Sequence, residues 1–180
     1  MTILSIITWP DPRLTQISKE VTQVTSTTQK FMDDMLETMY AAHGIGLAAV
    51  QVGILERILV MDINYNSERY PENNVSTNKP PLFLVNPKIV ASSNHTTKYK
   101  EGCLSFPGQY SNVIRPDKVE VEYLDYHGNK QLLKAEGLLA ICVQHEIDHL
   151  NGIVFVDHIS KLKKDIILKK LTKQQKLQEI

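Results

Sequence analysis

Residues 144 to 152 read Gln-His-Glu-Ile-Asp-His-Leu-Asn-Gly, and His145-Glu146-x-x-His149 within them has the spacing of a metal-binding helix. Residues four apart on a helix lie one above the other, so His145 and His149 can direct two imidazole nitrogens at one ion, with Glu146 beside it. A carboxylate placed there serves as general base toward a water that the ion activates, which is the chemistry of metal-dependent hydrolases. In 180 residues with six histidines the pattern arises by chance about once in a hundred sequences, so context must decide. That context is helical: EGLLAICVQHEIDHL, 136 to 150, has apolar residues at helical spacing, no proline, and Asn151-Gly152 as a stop.

Two histidines need at least one more protein ligand, and Cys103, His43, His95, His127, His158 and several carboxylates are open to that role. Geometry removes Cys142. It precedes His149 by two turns on the same helix, about 10 Å along the axis, too far to share an ion whose bonds are about 2 Å long. Its plainer reading is a small buried hydrophobe. Cys103 lies in Glu101-Gly102-Cys103-Leu104-Ser105-Phe106-Pro107-Gly108, where glycines and proline suit a tight turn. Its thiolate would complete a Cys-His-His set and leave the fourth tetrahedral position to water. Leu138, Ile141, Cys142, His145 and His149 share one helix face, so an apolar wall leads to the metal. With Ile45 that wall would form a pocket for an unbranched side chain; the alternative for Leu138 and Ile141 is ordinary core. Gly44 and Gly46 end a helix or let backbone approach a peptide substrate, and both readings are kept.

The elements that position these residues are legible in outline. Residues 26 to 43, STTQKFMDDMLETMYAAH, carry Phe31, Met35, Met39 and Ala42 at helical spacing, with Ser26 as cap and Gly44 as stop. The β-branched, partly alternating runs 57 to 63, 83 to 91 and 118 to 125 predict antiparallel strands, and His127-Gly128-Asn129 turns the last into a partner at 130 to 135. The polar run 64 to 81, NYNSERYPENNVSTNKPP, predicts a long exposed loop. Residues 160 to 176 predict a lysine-rich amphipathic helix. These readings amount to one α+β domain of antiparallel sheets around a central metal-binding helix, with an N-terminal and a C-terminal helix. Residues 1–160 form the catalytic part, and 161–180 a basic helix of the same domain.

Composition excludes several classes. The net charge is zero, so a nucleic-acid binder in the ordinary sense is disfavoured. No run approaches membrane-spanning length, and the N-terminal residues lack the basic, apolar and small-residue regions of a secretory signal. Two cysteines are too few for a disulfide framework. A bacterial cytoplasm is the expected setting.

Three segments, taken together, resemble the peptide deformylase family: Gly44-Ile45-Gly46-Leu47-Ala48-Ala49-Val50-Gln51-Val52-Gly53, Glu101-Gly102-Cys103-Leu104-Ser105, and Gln144-His145-Glu146-Ile147-Asp148-His149. Pro10-Asp11-Pro12-Arg13-Leu14, residues 137 to 142 and Arg115-Pro116 are similar to the family as well. The resemblance implies Cys103, His145 and His149 as metal ligands, and Glu146 as catalytic acid and base. It implies Gln51 and the Leu104 N–H as donors to the substrate carbonyl. The reaction implied is hydrolysis of the N-terminal formyl group from new polypeptides that begin with formyl-methionine, releasing formate. The implied native ion is Fe(II), for which Zn, Ni or Co can substitute. A monomer is expected, and the C-terminal helix resembles those with which some bacterial deformylases dock on the ribosome. The chain departs from the usual pattern at Val50, where Pro or Thr is common, and at Tyr110, where some members carry Arg. The rival classes are a metallopeptidase acting on unformylated peptides and a non-catalytic, ribosome-associated metal protein.

Overall fold

The computed structural model describes residues 2–64 and 80–178, so most of the polar run 64 to 81 lies outside the described residues. The methionine stripe forms helix α1, Ser26–Ala41, and buries Met32, Met35 and Met39. Its cap is Thr25 in place of the expected Ser26: the Thr25 hydroxyl accepts from the Thr28 N–H at 3.3 Å, and the Thr28 hydroxyl accepts from the Thr25 N–H at 3.2 Å. This reciprocal pair satisfies two of the donors that a helix start leaves unpaired. The stop is likewise one residue earlier than expected. His43 takes the left-handed conformation, φ 55°, while its N–H reaches Tyr40 O and the Gly44 N–H reaches Met39 O, both at 2.9 Å. That double bond pattern closes a helix through an αL residue.

Among the described residues seven strands follow: β1 Gly46–Ala48, β2 Ile58–Met61, β3 Leu82–Ser92, β4 Thr96–Cys103, β5 Phe106–Pro116, β6 Lys118–Leu124 and β7 Lys130–Glu136. Helix α2, Leu138–Leu150, comes next, and α3, Lys161–Gln178, is the last described element. One antiparallel sheet has the order β1-β2-β3-β6-β7, and β4 and β5 form a separate hairpin. The expected strands are thus present, with β6 and β7 joined by the expected turn. β1 and the β4-β5 hairpin were not expected.

Alternation along β2 shows why the fold holds together. Leu59 and Met61 face α2 and pack with Ala140, Cys142, Val143 and Ile147. Ile58 and Val60 face the other way and pack with Met32, Met35 and Met39 of α1. At its β1-β2 end the sheet is therefore covered on both sides, and a strand buried on both faces reads as a continuous apolar run. Helix α2 is buried along almost its whole length, with its first half apolar and its second half carrying the polar residues of the site. Arg57 fixes its end, donating from Nη1 to Leu150 O at 3.3 Å and to Asn151 Oδ1 at 2.9 Å, a cation where the helix dipole favours one. α3 seats Ile167 and Leu171 against Phe106, Val113 and Phe155.

Thr25→Ala removes half of the α1 cap. It should lower stability by about 1 kcal/mol, a fall of ~2–4 °C in the melting midpoint for a domain of this size, read by thermal unfolding.

Candidate metal centre

α2 carries His145, Glu146 and His149, and all three are buried. Cys103 ends β4 opposite them. At Gly102-Cys103 the hairpin register slips, from Gly102 opposite Tyr110 to Cys103 opposite Phe106. Such a bulge re-aims the side chain beside it. The ligand atoms of Cys103, His145 and His149 lie within 4.8 Å of one another, and Cys103 Sγ stands 3.2 Å from His149 Nε2. Of the third ligands left open by spacing, Cys103 is the one that the fold brings to the histidine pair. Cys142 faces Ile45, its Sγ 3.7 Å from that carbonyl oxygen.

The orientation of His145 is set from behind. Its Nδ1 is 2.9 Å from Glu101 Oε2, which leaves Nε2 for the site. Arg115 clamps Glu101 with two bonds, Nε to Oε1 at 2.5 Å and Nη2 to Oε2 at 3.1 Å. Its Nη1 donates to Asp148 Oδ2 at 2.7 Å, and His158 Nε2 lies 2.7 Å from the same oxygen. A carboxylate behind a metal-binding imidazole fixes its tautomer and direction. Burial alone would raise the Glu101 carboxyl, but hydrogen bonds from His145 and Arg115 outweigh it and hold the group at about 2. Burial opposes the charged form of His145, yet Cys103 and Glu101 draw its pKa well above the ordinary value. A cation at Nε2 would take the place of that proton.

Gln51 follows β1 in a short 3-10 turn. Its Oε1 accepts from the Ala48 N–H at 2.8 Å, so Nε2 points outward, 3.2 Å from Ser105 Oγ and 3.5 Å from Cys103 Sγ. Leu104 continues from Cys103 in the two-residue link of the hairpin. A cavity of about 270 Å³ opens in front of these groups, and its wall includes Gly44, Ile45, Gly46, Leu138, Ile141 and Cys142 together with Gln51, Cys103, Leu104, His145 and Glu146. Every site residue expected from the sequence except His149 reaches that cavity. His149 lies behind Cys103, fully buried.

Glu146 is one of three groups that the described residues leave with a buried, unpaired side-chain atom, with Ser18 and His149. Its Oε2 is buried with no partner among the described residues, as is Nδ1 of His149. Burial is the main reason its carboxyl is pushed up to about 7, with His145 pulling it down and Glu101 adding to the rise. A Cβ on Gly46 would stand 2.5 Å from Glu146 Oε1 and 2.9 Å from Cys142 Sγ, so the absence of a side chain at 46 makes room for the carboxylate.

The donor set fits a metal: one soft thiol and two imidazoles, converging from a rigid helix and a strand end, suit a divalent transition ion. A buried, unpaired carboxylate beside such a set, at the floor of an open cavity, defines a metal-dependent hydrolase. Comparison makes the class specific. The sequence model of the polypeptide deformylase family matches residues 3–165, and the chain belongs to that family. A peptide deformylase of Pelagibacter ubique is 53% identical over 173 residues, 96% of this chain and 95% of that protein. One of Rhizobium meliloti is 49% identical over 176 residues, 98% and 96% of the two. The crystal structure of the Ehrlichia chaffeensis peptide deformylase in complex with actinonin superposes with a TM-score of 0.88 at 47% identity, covering 97% of this chain and 98% of that one. Among the described residues no helix is long and apolar enough to cross a membrane.

Sequence reasoning quoted Glu101, Arg115 and Asp148 only as parts of motifs and gave them no positioning role; Ser105 was not singled out. The signal available was Asp148, three residues after His145 on the same helix face, with an arginine and a glutamate on neighbouring strands.

Arg115→Met strands Glu101 and Asp148 as buried charges and should cost about 3–5 kcal/mol. By freeing His145 it should also weaken metal retention 10- to 100-fold, on the order found for outer-shell partners, measured by competition with a chelator. Gly46→Ala should leave metal content intact while lowering turnover at least about tenfold, because Glu146 is displaced from its place.

Proposed function

We propose that this chain removes the formyl group from the N-terminal formyl-methionine of newly made polypeptides, releasing formate. The observation that carries the reading is Glu146 Oε2, buried and unpaired beside the donors of Cys103, His145 and His149. A purely structural site would be closed by four protein ligands and would have no use for a poised base.

In this reading Cys103 Sγ and the site-facing nitrogens of His145 and His149 would hold a divalent ion, which would supply Lewis acidity to the hydrolysis. Glu146 accepts the water's proton as its oxygen adds to the formyl carbon. Gln51 Nε2 and the Leu104 N–H donate to the formyl oxygen as charge gathers on it. Glu146 then hands the proton to the amide nitrogen, the C–N bond breaks, and formate and a free amine leave. Leu138, Ile141, Cys142 and Ile45 form an apolar wall for the methionine side chain, while Gly44 and Gly46 let the peptide backbone come close.

Fe(II) is the proposed native ion, with Zn, Ni or Co able to substitute. A thiolate ligand suits all of them, and supply in the cell outweighs the affinity order. Residues 1–160 act as the catalytic part and 161–180 as its basic helix, in a bacterial cytoplasm and as a monomer. Exposed lysines on α3, among them Lys161, Lys169, Lys170 and Lys173, support docking on ribosomal RNA, where phosphates reward ammonium groups.

The test is formate release from formyl-Met-Ala-Ser by protein purified without oxygen and loaded with Fe(II). Release should vanish with Glu146→Ala and fall about 100-fold with Gln51→Ala. Cleavage of an unformylated peptide instead would turn the assignment toward a metallopeptidase. Stripping the metal with a chelator should abolish activity and re-addition of Fe(II) restore it, with air inactivating the iron form faster than the zinc form.

A further inference from the structure

The two faces of the β4-β5 hairpin differ sharply. One carries Glu101, Cys103, Val113 and Arg115 inward to the metal centre and core; the other turns Lys98, Lys100, Tyr110, Asn112 and Ile114 to solvent. Ile114 is 65% exposed and Tyr110 47%, more apolar surface than a solvated strand face needs. The Tyr110 ring has a fixed seat. A Cβ on Gly102, opposite it in the hairpin, would stand 2.5 Å from the ring, and Lys100 Nζ lies 5.6 Å from the ring centroid.

Lys100 and Tyr110 belong to the wall of the catalytic cavity, and the same two residues also border a second groove with Ser111 and Asn112 of β5 and Lys163 and Ile166 of α3. The groove is therefore an outward continuation of the cavity. No carboxylate lines it, and neither Lys100 nor Lys163 enters an ion pair among the described residues. Ile166, 58% exposed on α3, supplies an apolar flank.

We propose that this groove holds the downstream segment of the polypeptide substrate and favours acidic side chains there, through Lys100 and Lys163. The inference rests on the deformylase reading of the adjoining cavity. An extended peptide and a β-strand both advance about 3.3 Å per residue, so a substrate leaving the cavity along β4 draws level with Lys100 about three residues after its formylated end. Lys163 then meets the residues that follow. Tyr110 serves as the shared corner, an aromatic surface on which an extended backbone can lie whatever its side chains. The groove is open to solvent, so the selectivity is modest and sensitive to salt.

The test measures kcat/KM on the metal-loaded enzyme for formyl-Met-Ala-Ser-Asp-Asp-Ala and formyl-Met-Ala-Ser-Lys-Lys-Ala, each divided by the value for formyl-Met-Ala, which is too short to reach α3. The acidic peptide should be favoured about three- to tenfold at low salt, with the difference shrinking as ionic strength rises. Lys163→Gln should weaken the preference, and Lys163→Glu, which leaves Lys100 facing a carboxylate, should flatten it. If formyl-Met-Ala is hydrolysed but the two hexapeptides give equal ratios in wild type and in Lys163→Glu, the groove does not hold the substrate, and its lysines serve another occupant such as ribosomal RNA. If none of the three peptides is hydrolysed, the deformylase reading itself falls, and the proposal falls with it.

Discussion

Much of the structure hangs on the buried ion pair between Glu101 and Arg115. Both side chains are almost wholly removed from water, a state that costs several kcal/mol per ion unless the geometry is close and the remaining donors are used. Here they are used: Arg115 gives two bonds to Glu101 and one to Asp148, and Glu101 turns its second oxygen to His145. The pair thereby ties the hairpin to α2, the two elements that bring Cys103 and the histidines together. Replacing such a pair by apolar residues often leaves a protein as stable or more so. Its value here lies in direction, since an apolar substitute could not hold the imidazole plane of His145.

The sheet and α1 act one step further back. Because β2 is buried on both faces, α2 cannot slide over the sheet without disturbing the packing of α1 on the far side, and the interior is dense enough to transmit such a shift. Arg57 adds a lock at the end of α2. The rigid side of the site is thus the helix with its two histidines, while the cysteine arrives on a hairpin end. A helix and a strand end, each braced by its own contacts, give the small tolerance that ligand convergence demands.

What could be read from the sequence followed from simple periodicity. The spacing of His145, Glu146 and His149, the Met stripe of α1 and the β-branched runs of β2, β3 and β6 each have one period and one apolar face, and each was found within a few residues. The hairpin was missed for a physical reason. Its inward positions include Glu101 and Arg115, so charge stands where an alternating pattern should show apolar residues, and the two partners are fourteen positions apart in sequence. Only the fold shows that they neutralise each other. β1 was missed because three residues carry no periodicity, and the cap and stop of α1 moved by one residue because Thr28 and His43 supply bonds that residue preference alone does not rank. The role of Cys103 lay between these cases: spacing left several third ligands open, and family resemblance singled out the cysteine that the fold brings to the histidines.

Val50 is a departure from the family pattern beside Gln51, and its contacts lie in the core. Val50, where Pro or Thr is common, is fully buried in the core between sheet and α2, and so acts on packing; the aim of the neighbouring amide is set elsewhere. That aim is fixed by the Ala48 N–H, which holds Gln51 Oε1 at 2.8 Å. Rotating the amide by half a turn would face its NH₂ against that N–H and leave two buried donors opposed, at about 1–3 kcal/mol for each unsatisfied group. The donor toward Cys103 and Ser105 is therefore a consequence of backbone geometry in the turn after β1. Position 50 can vary so long as its side chain fills the core and keeps that turn in place.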